Sequence, residues 1–212
     1  MRNTETFPYR LYLVISEDDC AGRDILRVTE QAILGGADIV QLREKSADEN
    51  YLLDLAIRTK ALCGLYGIPL IINDHAGLAA HMQAAGVHVG NEDASPVFLR
   101  SQEAFRNRII GYSVEATEQV HSDKALAADY LGISPVFRSA TKTNTLTEWG
   151  LEGIAQIRSL TDKPLVAIGN MQLHNVRQVL QAGADCIAVV SAICGAADPQ
   201  RAAADLKNEI SK

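Results

Sequence analysis

The sequence alternates between short apolar runs and longer amphipathic segments, and this alternation recurs eight times. The first run, LYLVI at Leu11–Ile15, is too short to show helical periodicity. The segment after it, DILRVTEQAILGG, places apolar residues near helical spacing and ends on two glycines, a typical helix stop. The later runs are ADIVQL, PLIIN, VHVG, RIIGYS, YLGIS, PLVAIG and CIAVVS. Runs that are apolar on both faces and separated by helices indicate a buried parallel sheet.

Eight strand–helix units in about 200 residues predict an α/β fold, a compact (β/α)8 barrel of the TIM type. A single domain spanning residues 1–212 is expected, because no linker or low-complexity segment divides the chain. A doubly wound open sheet is the alternative. No G-x-G-x-x-G follows the first run, which weakens a dinucleotide-binding version of that alternative.

A short sequence pattern that recurs three times supports the alternation. The order helix end, small residue, acid, strand recurs as GGADIVQL, AADYLGI and AGADCIAVV, in which the acids are Asp38, Asp129 and Asp185. Each copy predicts a turn that leads from a helix into a buried strand, with glycine or alanine at the helix stop.

Composition narrows the classes of function. The chain has a formal net charge of -6, so a broad basic surface for nucleic acid is not expected. No apolar stretch approaches the length of a membrane span, and the first residues lack the apolar core of a signal peptide. The four cysteines show no C-x-x-C spacing and are expected to be reduced thiols. A cytoplasmic protein without nucleic-acid or membrane partners is the expectation.

The second run ends in QLREK, where polar residues alternate with others. Strand side chains alternate, so Gln41, Arg43 and Lys45 share one side and Leu42 takes the other. Barrels of this class carry their chemistry where strands end. A glutamine and two cations at that place suit an anion, and the alternative is a pair of solvated loop charges. The position of Gln41 inside an apolar run favours binding.

Acids follow the third and fourth runs. Asn73 and Asp74 end one strand, and the stretch His88–Asp93 ends the next. Alone, either aspartate is typical of a helix N-cap. On neighbouring strands, two carboxylates could hold Mg2+ together with waters and a substrate phosphate. His88 lies between two valines and fits a core histidine or a pocket histidine equally well.

Small polar residues end the remaining strands. Ser113 ends the fifth run, Gly169 and Asn170 the seventh, and Val190 and Ser191 the eighth. The loops after the seventh and eighth strands form the common phosphate site of this barrel, helped by a helix N-terminus. Asn170 can adopt left-handed backbone geometry. We expect a phosphate site here, with ordinary turns as the alternative.

The loop after the sixth run reads SATKTNT and carries four hydroxyls and a lysine. Hydroxyls and lysine donate to phosphate oxygens, and a loop that closes over a charged ligand excludes water. A disordered polar loop is the alternative. The whole inventory comprises two anion sites and a carboxylate pair, which suggests one substrate with a diphosphate leaving group and a second, phosphorylated substrate.

The segments VQLREK, IIND…GVHVGNED, SATK, WGLEG, VAIGN and AVVSAI, in this order, resemble the thiamine phosphate synthase family over nearly the whole chain. The resemblance implies a (β/α)8 barrel that joins 4-amino-5-hydroxymethyl-2-methylpyrimidine diphosphate to 4-methyl-5-(2-phosphooxyethyl)thiazole. The products would be thiamine phosphate and diphosphate. In this family the diphosphate is thought to leave first, giving a pyrimidine-methyl cation that the thiazole nitrogen captures.

The resemblance also implies roles for individual residues. Asp74 and Asp93 would bind Mg2+, Ser113 would contact the pyrimidine, and Arg43, Lys45 and Lys142 would stabilise the leaving diphosphate. The pyrimidine diphosphate would be held by Gln41, Leu42, Arg43, Glu44, Lys45, Asn73 and Lys142, and the thiazole phosphate by Ser139, Ala140, Thr141, Asn170, Val190 and Ser191.

The chain departs from the commonest family pattern at a few positions. Asn170 stands where a second glycine is usual, Ser134 where glycine is frequent, Asn91 where glutamine is common, and Arg138 and Ser139 where Pro-Thr is common. Asn170 matters most, since that position approaches the thiazole phosphate and its side chain could add a donor or crowd the site.

Three alternatives to the synthase activity remain. The related thiazole tautomerase typically lacks the metal acids and carries histidine where Glu115 follows Ser113-Val114 here. A phosphosugar isomerase would need a general base within a strand, and no good candidate is evident. A non-catalytic binder of thiazole phosphate would not need the acid pair or Lys142. The oligomeric state is left open by the sequence.

Overall fold

The structure, a computed structural model, describes residues 7–45, 47–138 and 148–212. Its sheet has eight parallel strands in sequence order, and β1 pairs with both β2 and β8, so the sheet is closed. The strands are β1 Leu11–Ile15, β2 Ile39–Leu42, β3 Leu70–Asn73, β4 Gly86–Val89, β5 Ile109–Val114, β6 Tyr130–Ile133, β7 Leu165–Ile168 and β8 Cys186–Val189. The predicted (β/α)8 barrel is confirmed, and the open sheet is excluded by the pairing of β1 with β8.

Helices follow the strands and cover the outside of the barrel. They are α1 Ile25–Leu34, α2 Glu49–Leu65, α3 Ala76–His81, α4 Pro96–Ser101, α5 Asp123–Ala127, α6 Gly150–Leu160, α7 Val176–Gln181, α8 Ser191–Cys194 and α9 Pro199–Ile210. Short 3-10 helices lie at Asp18–Cys20, Glu103–Phe105 and Thr117–His121. Within the described ranges, no helix is both long enough and apolar enough to cross a membrane.

Helix capping explains where several of these helices begin. The side chains of Asp24, Asp48 and Asp198 accept hydrogen bonds from backbone N–H groups in the first turns of α1, α2 and α9. Ser122 caps α5 in the same way, by accepting from the N–H of Ala125. This cap separates α5 from the 3-10 helix before it, which ends at His121.

Two apolar layers hold the barrel together. Along β1, Leu11, Leu13 and Ile15 belong to the large core between sheet and helices, whereas Tyr12 and Val14 belong to a second cluster inside the barrel. The same alternation of two faces recurs on the other strands. Burial on both faces is the physical reason for the near-continuous apolar runs in the sequence.

The three aspartates of the repeated helix–acid–strand pattern have a common structural role. The carboxylates of Asp38, Asp129 and Asp185 each accept a backbone N–H from the start of the preceding strand. These donors are Leu11 at 2.9 Å, Ile110 at 2.7 Å and Leu165 at 2.9 Å. Each carboxylate also pairs with a cation from a helix: Lys207, Arg100 and Arg158, respectively. The repeated acid therefore ties a strand start to the helical layer.

Candidate active site

A cavity of about 360 Å³ opens at the carboxyl ends of the strands, and all eight strands or the loops that follow them contribute to its lining. Its size is typical of a site for small ligands. Ten of the predicted site residues line it together: Gln41, Arg43, Lys45, Asn73, Asp74, Asp93, Ser113, Asn170, Val190 and Ser191. Residues far apart in sequence therefore meet at one mouth, as expected for this class of barrel.

Two residues of the predicted segment 41–45 do not present their side chains to the cavity. Leu42 is buried in the core between the sheet and the helices. Glu44 turns toward the β1 loop, where its carboxylate accepts the backbone N–H of Glu17 at 2.5 Å. The strand alternation that brings Gln41 and Arg43 inward sends both of these outward. Any contact of Leu42 or Glu44 with a ligand in the cavity has to be made by backbone atoms.

The predicted residues Ser139, Ala140, Thr141 and Lys142 lie outside the described residues, and so does the rest of the SATKTNT loop. The segments on either side are described. Val136 donates its N–H to the carbonyl of Ile168, and Gly150 donates its N–H to the carbonyl of Val136. The chain before and after the loop is thus anchored beside the end of β7.

The acids after β3 and β4 lie next to each other. Burial raises the pKa of Asp74 above its ordinary value, and a hydrogen bond with Asp93 and its negative charge raise that pKa further. Lys45 acts in the opposite direction, with its Nζ 3.9 Å from Asp74 Oδ2. Asp93 also accepts the N–H of Gly90 at 2.8 Å. The raised pKa of Asp74 reflects the cost of placing two carboxylates side by side, a cost that a bound cation would reduce.

The donor set fits Mg2+ better than a transition metal. Within the described ranges, no cluster of three or more histidine, cysteine, aspartate or glutamate side chains is suited to a metal. Mg2+ does not need such a cluster, because it keeps several waters and takes one or two carboxylates together with substrate phosphates. Asp74 and Asp93 would supply two such carboxylates, and Lys45 and Arg43 line the same cavity.

The loop after β7, one of the two predicted phosphate loops, is a tight turn with left-handed backbone geometry. Gly169 and Asn170 both have left-handed backbone conformations, with φ of 115° and 50°. A Cβ at Gly169 would lie 2.7 Å from Pro135 Cβ, so glycine is needed there. The Asn170 carbonyl accepts a hydrogen bond from the side chain of Asn175 at 3.0 Å, which fixes the turn. The left-handed geometry suggested for Asn170 is confirmed.

The loop that carries Asp93 is held by a side-chain network around Asn91. The Asn91 amide nitrogen donates to Glu115 at 2.8 Å, and its amide oxygen accepts from Tyr112 at 2.5 Å and from Gln119 at 3.0 Å. Lys124 donates to the Asn91 carbonyl at 3.1 Å. Asn91, at a position where glutamine is common in the family that the sequence resembles, thus joins the acid loop to the end of β5.

Sequence reasoning missed several residues of the cavity. Tyr12 and Tyr130 lie on inward-facing strand positions, and Asp19 lies in the loop after β1. His88, for which core and pocket were equally good expectations, lines the cavity and is hydrogen-bonded to Tyr130 and Ser113. Asp19 could have been found by the rule that located Arg43, namely that polar residues after the end of a strand lie at the barrel mouth. Tyr12 could have been found by the alternation of side-chain direction that was applied to Gln41.

Fold and cavity together define the class: a (β/α)8 barrel whose cavity, at the carboxyl ends of its strands, is lined by the cations Arg43 and Lys45 and the carboxylates Asp74 and Asp93. A family model described as thiamine monophosphate synthase matches residues 11–193. The chain belongs to that family.

Individual relatives agree with the family match. The chain is 46% identical to the thiamine-phosphate synthase of Albidiferax ferrireducens over 95% of this chain and 91% of that protein. It is 40% identical to the thiamine-phosphate synthase of Alkaliphilus oremlandii over 99% of this chain and 100% of that protein. The solved structure of thiamine phosphate pyrophosphorylase from Pyrococcus furiosus superposes with a TM-score of 0.86, at 29% identity and 98% coverage of both chains.

A more distant structure shows how widely the fold is used. A 3-hexulose-6-phosphate synthase superposes with a TM-score of 0.68 at 17% identity. At that identity the likeness shows the barrel alone, because the same fold serves many chemistries.

Proposed function

We propose that the chain is a transferase that condenses 4-amino-5-hydroxymethyl-2-methylpyrimidine diphosphate with 4-methyl-5-(2-phosphooxyethyl)thiazole, giving thiamine phosphate and diphosphate. The observation that carries the proposal is the convergence in one cavity of the cationic end of β2, the acid pair and the loops after β7 and β8. The family membership and the names of the relatives support it.

The diphosphate half of the site is assigned to the ends of β2, β3 and β4. Gln41, Arg43, Lys45 and Asn73 would hold the pyrimidine diphosphate, with Leu42 and Glu44 contributing backbone atoms. Mg2+ would bind to Asp74 and Asp93. When bound, this ion supplies positive charge that stabilises the diphosphate as it leaves.

The other half of the site is assigned to the phosphate of the thiazole. Asn170, Val190 and Ser191 line the cavity at the loops after β7 and β8, and they would hold this phosphate. The assignments of Ser139, Ala140 and Thr141 to the same phosphate, and of Lys142 to the diphosphate, rest on the sequence resemblance.

The mechanism needs no protein nucleophile. The bond between the pyrimidine methylene carbon and the diphosphate oxygen breaks, and its electron pair leaves with the diphosphate. The thiazole nitrogen then donates its lone pair to that carbon, which gives the thiazolium product. Arg43, Lys45 and Lys142 would stabilise the charge that develops on the leaving group. The cavity walls would keep water from the carbon, because water would compete with the thiazole as a nucleophile.

The direct test is to mix the purified protein with both substrates and Mg2+ and to measure thiamine phosphate and released diphosphate. We expect product that disappears when the metal is chelated and returns when Mg2+ is restored. Product formation that is indifferent to chelation would contradict the metal assignment, and no product at all would contradict the proposed activity.

Variants separate chemistry from folding in the same assay. Asp93→Ala and Lys142→Ala should each lower kcat by at least about a hundredfold. Asp93→Ala removes a proposed ligand of Mg2+, and Lys142→Ala removes a cation, so both reduce the positive charge that stabilises the leaving diphosphate. The melting temperature should change little. Asp54→Ala, which removes an exposed carboxylate on α2, is the matched control and should leave kcat unchanged. An Asp93→Ala protein that unfolds, or that turns over normally, would contradict the assignment.

A binder or sensor of thiazole phosphate is the alternative from another class. It would keep the loops after β7 and β8 but would not need the acid pair. Calorimetric titration with diphosphate, with and without Mg2+, distinguishes the two, because a synthase should bind diphosphate more tightly with the metal.

We also propose a cytoplasmic location, which suits the four free, buried cysteines.

A further inference from the structure

A chain of hydrogen-bonded side chains crosses the floor of the cavity from β2 to β5. Gln41 Nε2 donates to the Tyr12 hydroxyl at 2.9 Å, and this hydroxyl lies 3.1 Å from that of Tyr130. The Tyr130 hydroxyl lies 2.9 Å from His88 Nδ1, and His88 Nε2 lies 2.9 Å from Ser113 Oγ. Five strands contribute one side chain each, and Gln41 and Ser113 form the two ends.

One directed arrangement of protons satisfies every contact of the chain, and it begins at Gln41. An amide nitrogen donates and does not accept, so the Tyr12 oxygen accepts from Gln41, and the Tyr12 hydroxyl can in turn donate to Tyr130. In this arrangement Tyr130 donates to His88 Nδ1, and His88 donates from Nε2 to Ser113. The hydroxyl proton of Ser113 is left to point toward a ligand.

Burial keeps the two middle members of the chain protonated. Tyr12 and Tyr130 are 1% and 0% exposed. Loss of solvent raises the pKa of Tyr12 and raises that of Tyr130 well above the ordinary value. Neither phenol ionises near neutral pH, so each retains the single proton that the directed chain requires.

The backbone leaves room for this chain at two glycines. A Cβ at Gly111 would lie 2.3 Å from the Tyr130 hydroxyl and 2.4 Å from His88 Nδ1. A Cβ at Gly132 would lie 2.9 Å from His88 Cε1. The His88 and Tyr130 rings stack in the space so provided, with centroids 5.5 Å apart and planes 22° apart. The packing of the floor therefore fixes the position of both rings.

We propose that Tyr12 and Tyr130 are positioning residues that hold His88 as the Nε2–H tautomer, and that His88 is a positioning residue for Ser113. The Ser113 hydroxyl proton is thereby presented to a ring nitrogen of the pyrimidine. The inference rests on the proposed function, since an aminopyrimidine offers that acceptor. Gln41, at the other end, is held by its amide nitrogen, which turns its amide oxygen toward the cavity as an acceptor for the exocyclic amine. Tyr12, Tyr130 and His88 thus affect binding of the pyrimidine ring, through Gln41 and Ser113, and not binding of the diphosphate.

Removing one hydroxyl tests the chain. Tyr130→Phe keeps the ring and breaks the link to His88. We expect the dissociation constant of the pyrimidine diphosphate, measured by calorimetry with Mg2+ and without the thiazole, to rise about tenfold, the effect of one lost hydrogen bond. The dissociation constant of inorganic diphosphate with Mg2+ should stay within about twofold. Equal weakening of both ligands, or of neither, would overturn the proposal.

Tyr66→Phe is the matched control. It makes the same chemical change at a hydroxyl that donates to Glu30 on the outer helices at 2.7 Å. Both dissociation constants should equal those of the unmodified protein. If Tyr66→Phe weakens the pyrimidine ligand as much as Tyr130→Phe does, the effect is not specific to the chain and the proposal fails.

A double-mutant cycle shows whether Tyr130 acts through Ser113. In a Ser113→Ala background, Tyr130→Phe should weaken pyrimidine binding by less than about twofold, because the group that it positions is already missing. Full additivity of the two substitutions would contradict the proposal.

The tautomer itself is visible by nitrogen NMR of the side chain. The signal of His88 is identified by its loss in His88→Asn, and we expect protonated Nε2 and unprotonated Nδ1 in the free protein. A protonated Nδ1 would overturn the proposal. This readout needs no turnover, so its failure is distinguishable from failure of the proposed function, which would appear as absence of thiamine phosphate.

Discussion

Glycine at two interior positions decides where the polar groups of the cavity can lie. Gly111 on β5 and Gly132 on β6 face the rings of His88 and Tyr130, and a methyl group at either position would overlap one of them. The requirement at Gly111 does not come from the backbone conformation, because its φ is not among the positive values found in the chain. It comes from the side chains of neighbouring strands, and the consequence is that even alanine is too large.

Gly111→Ala should therefore be destabilising. The new Cβ would lie 2.2 Å from Tyr130 Cζ, inside a closed barrel that cannot expand locally. We expect a loss of about 1–3 kcal/mol in the free energy of unfolding, as for other overpacked cores. Urea unfolding followed by circular dichroism measures it.

The control for this substitution is Gly64→Ala. Gly64 lies in α2, and a Cβ there would meet nothing within 4 Å. Because alanine favours helix over glycine, this variant should be neutral or more stable by up to about 1 kcal/mol. Similar losses in the two variants would show that the floor of the cavity tolerates the extra methyl group.

At the scale of single elements, the acid that precedes β2, β6 and β8 links each strand to its surroundings. Asp185 accepts the N–H of Leu165 at the start of β7 and pairs with Arg158 of α6 at 2.8 Å. The side chains of Asp185 and Arg158 are only 5% and 13% exposed. Removing one partner of a buried pair leaves the other without its counter-charge, which costs far more than breaking an exposed pair.

Asp185→Ala should lower the free energy of unfolding by about 3–5 kcal/mol, because it leaves the Arg158 guanidinium buried beside an unpaired backbone N–H. Asp54→Ala is the control, since it breaks the pair with Arg58 on α2, where the two side chains are 65% and 52% exposed. That loss should stay within about 0.5 kcal/mol. Chemical denaturation measures both, and equal small losses would mean that the buried pair contributes no more than an exposed one.

At the scale of the whole molecule, the barrel is closed by pairing between the first and last strands. Leu13 of β1 lies opposite both Val40 of β2 and Val189 of β8. Helix α9 then packs on α1, where a Cβ at Gly35 would lie 2.6 Å from that of Ala203. The eight strands therefore share one closed sheet, with one apolar cluster inside it and another between the sheet and the helices.

This closure predicts that residues 1–212 unfold as one cooperative unit. The single tryptophan, Trp149, reports on the region where α6 begins, whereas far-ultraviolet circular dichroism reports on the helices of the whole chain. The two thermal transitions should superimpose, as they do for a two-state domain. Two separated transitions would contradict the single-domain prediction.

Much of this fold was predictable from local patterns. The apolar runs correctly located all eight strands, because a strand that is buried on both faces must be apolar along its length. The end of each run correctly located Arg43, Asp74, Asn170 and Ser191 at the mouth. Alternation along the second run placed Gln41 and Arg43 inside and Leu42 outside, since side-chain direction within one strand is a property of the local backbone.

The remaining features depend on contacts between residues that are far apart in the sequence. Closure of the sheet, the contact between Asp74 and Asp93 and the chain from Gln41 to Ser113 all require several strands in a definite register. His88 could be read either way from the sequence, because its role is set by Tyr130 and Ser113 on other strands. The sequence by itself determined which segments are strands and which residues stand at their ends. Only the tertiary structure decided which of those residues touch, because strand register and the space beside Gly111 and Gly132 arise when the barrel closes.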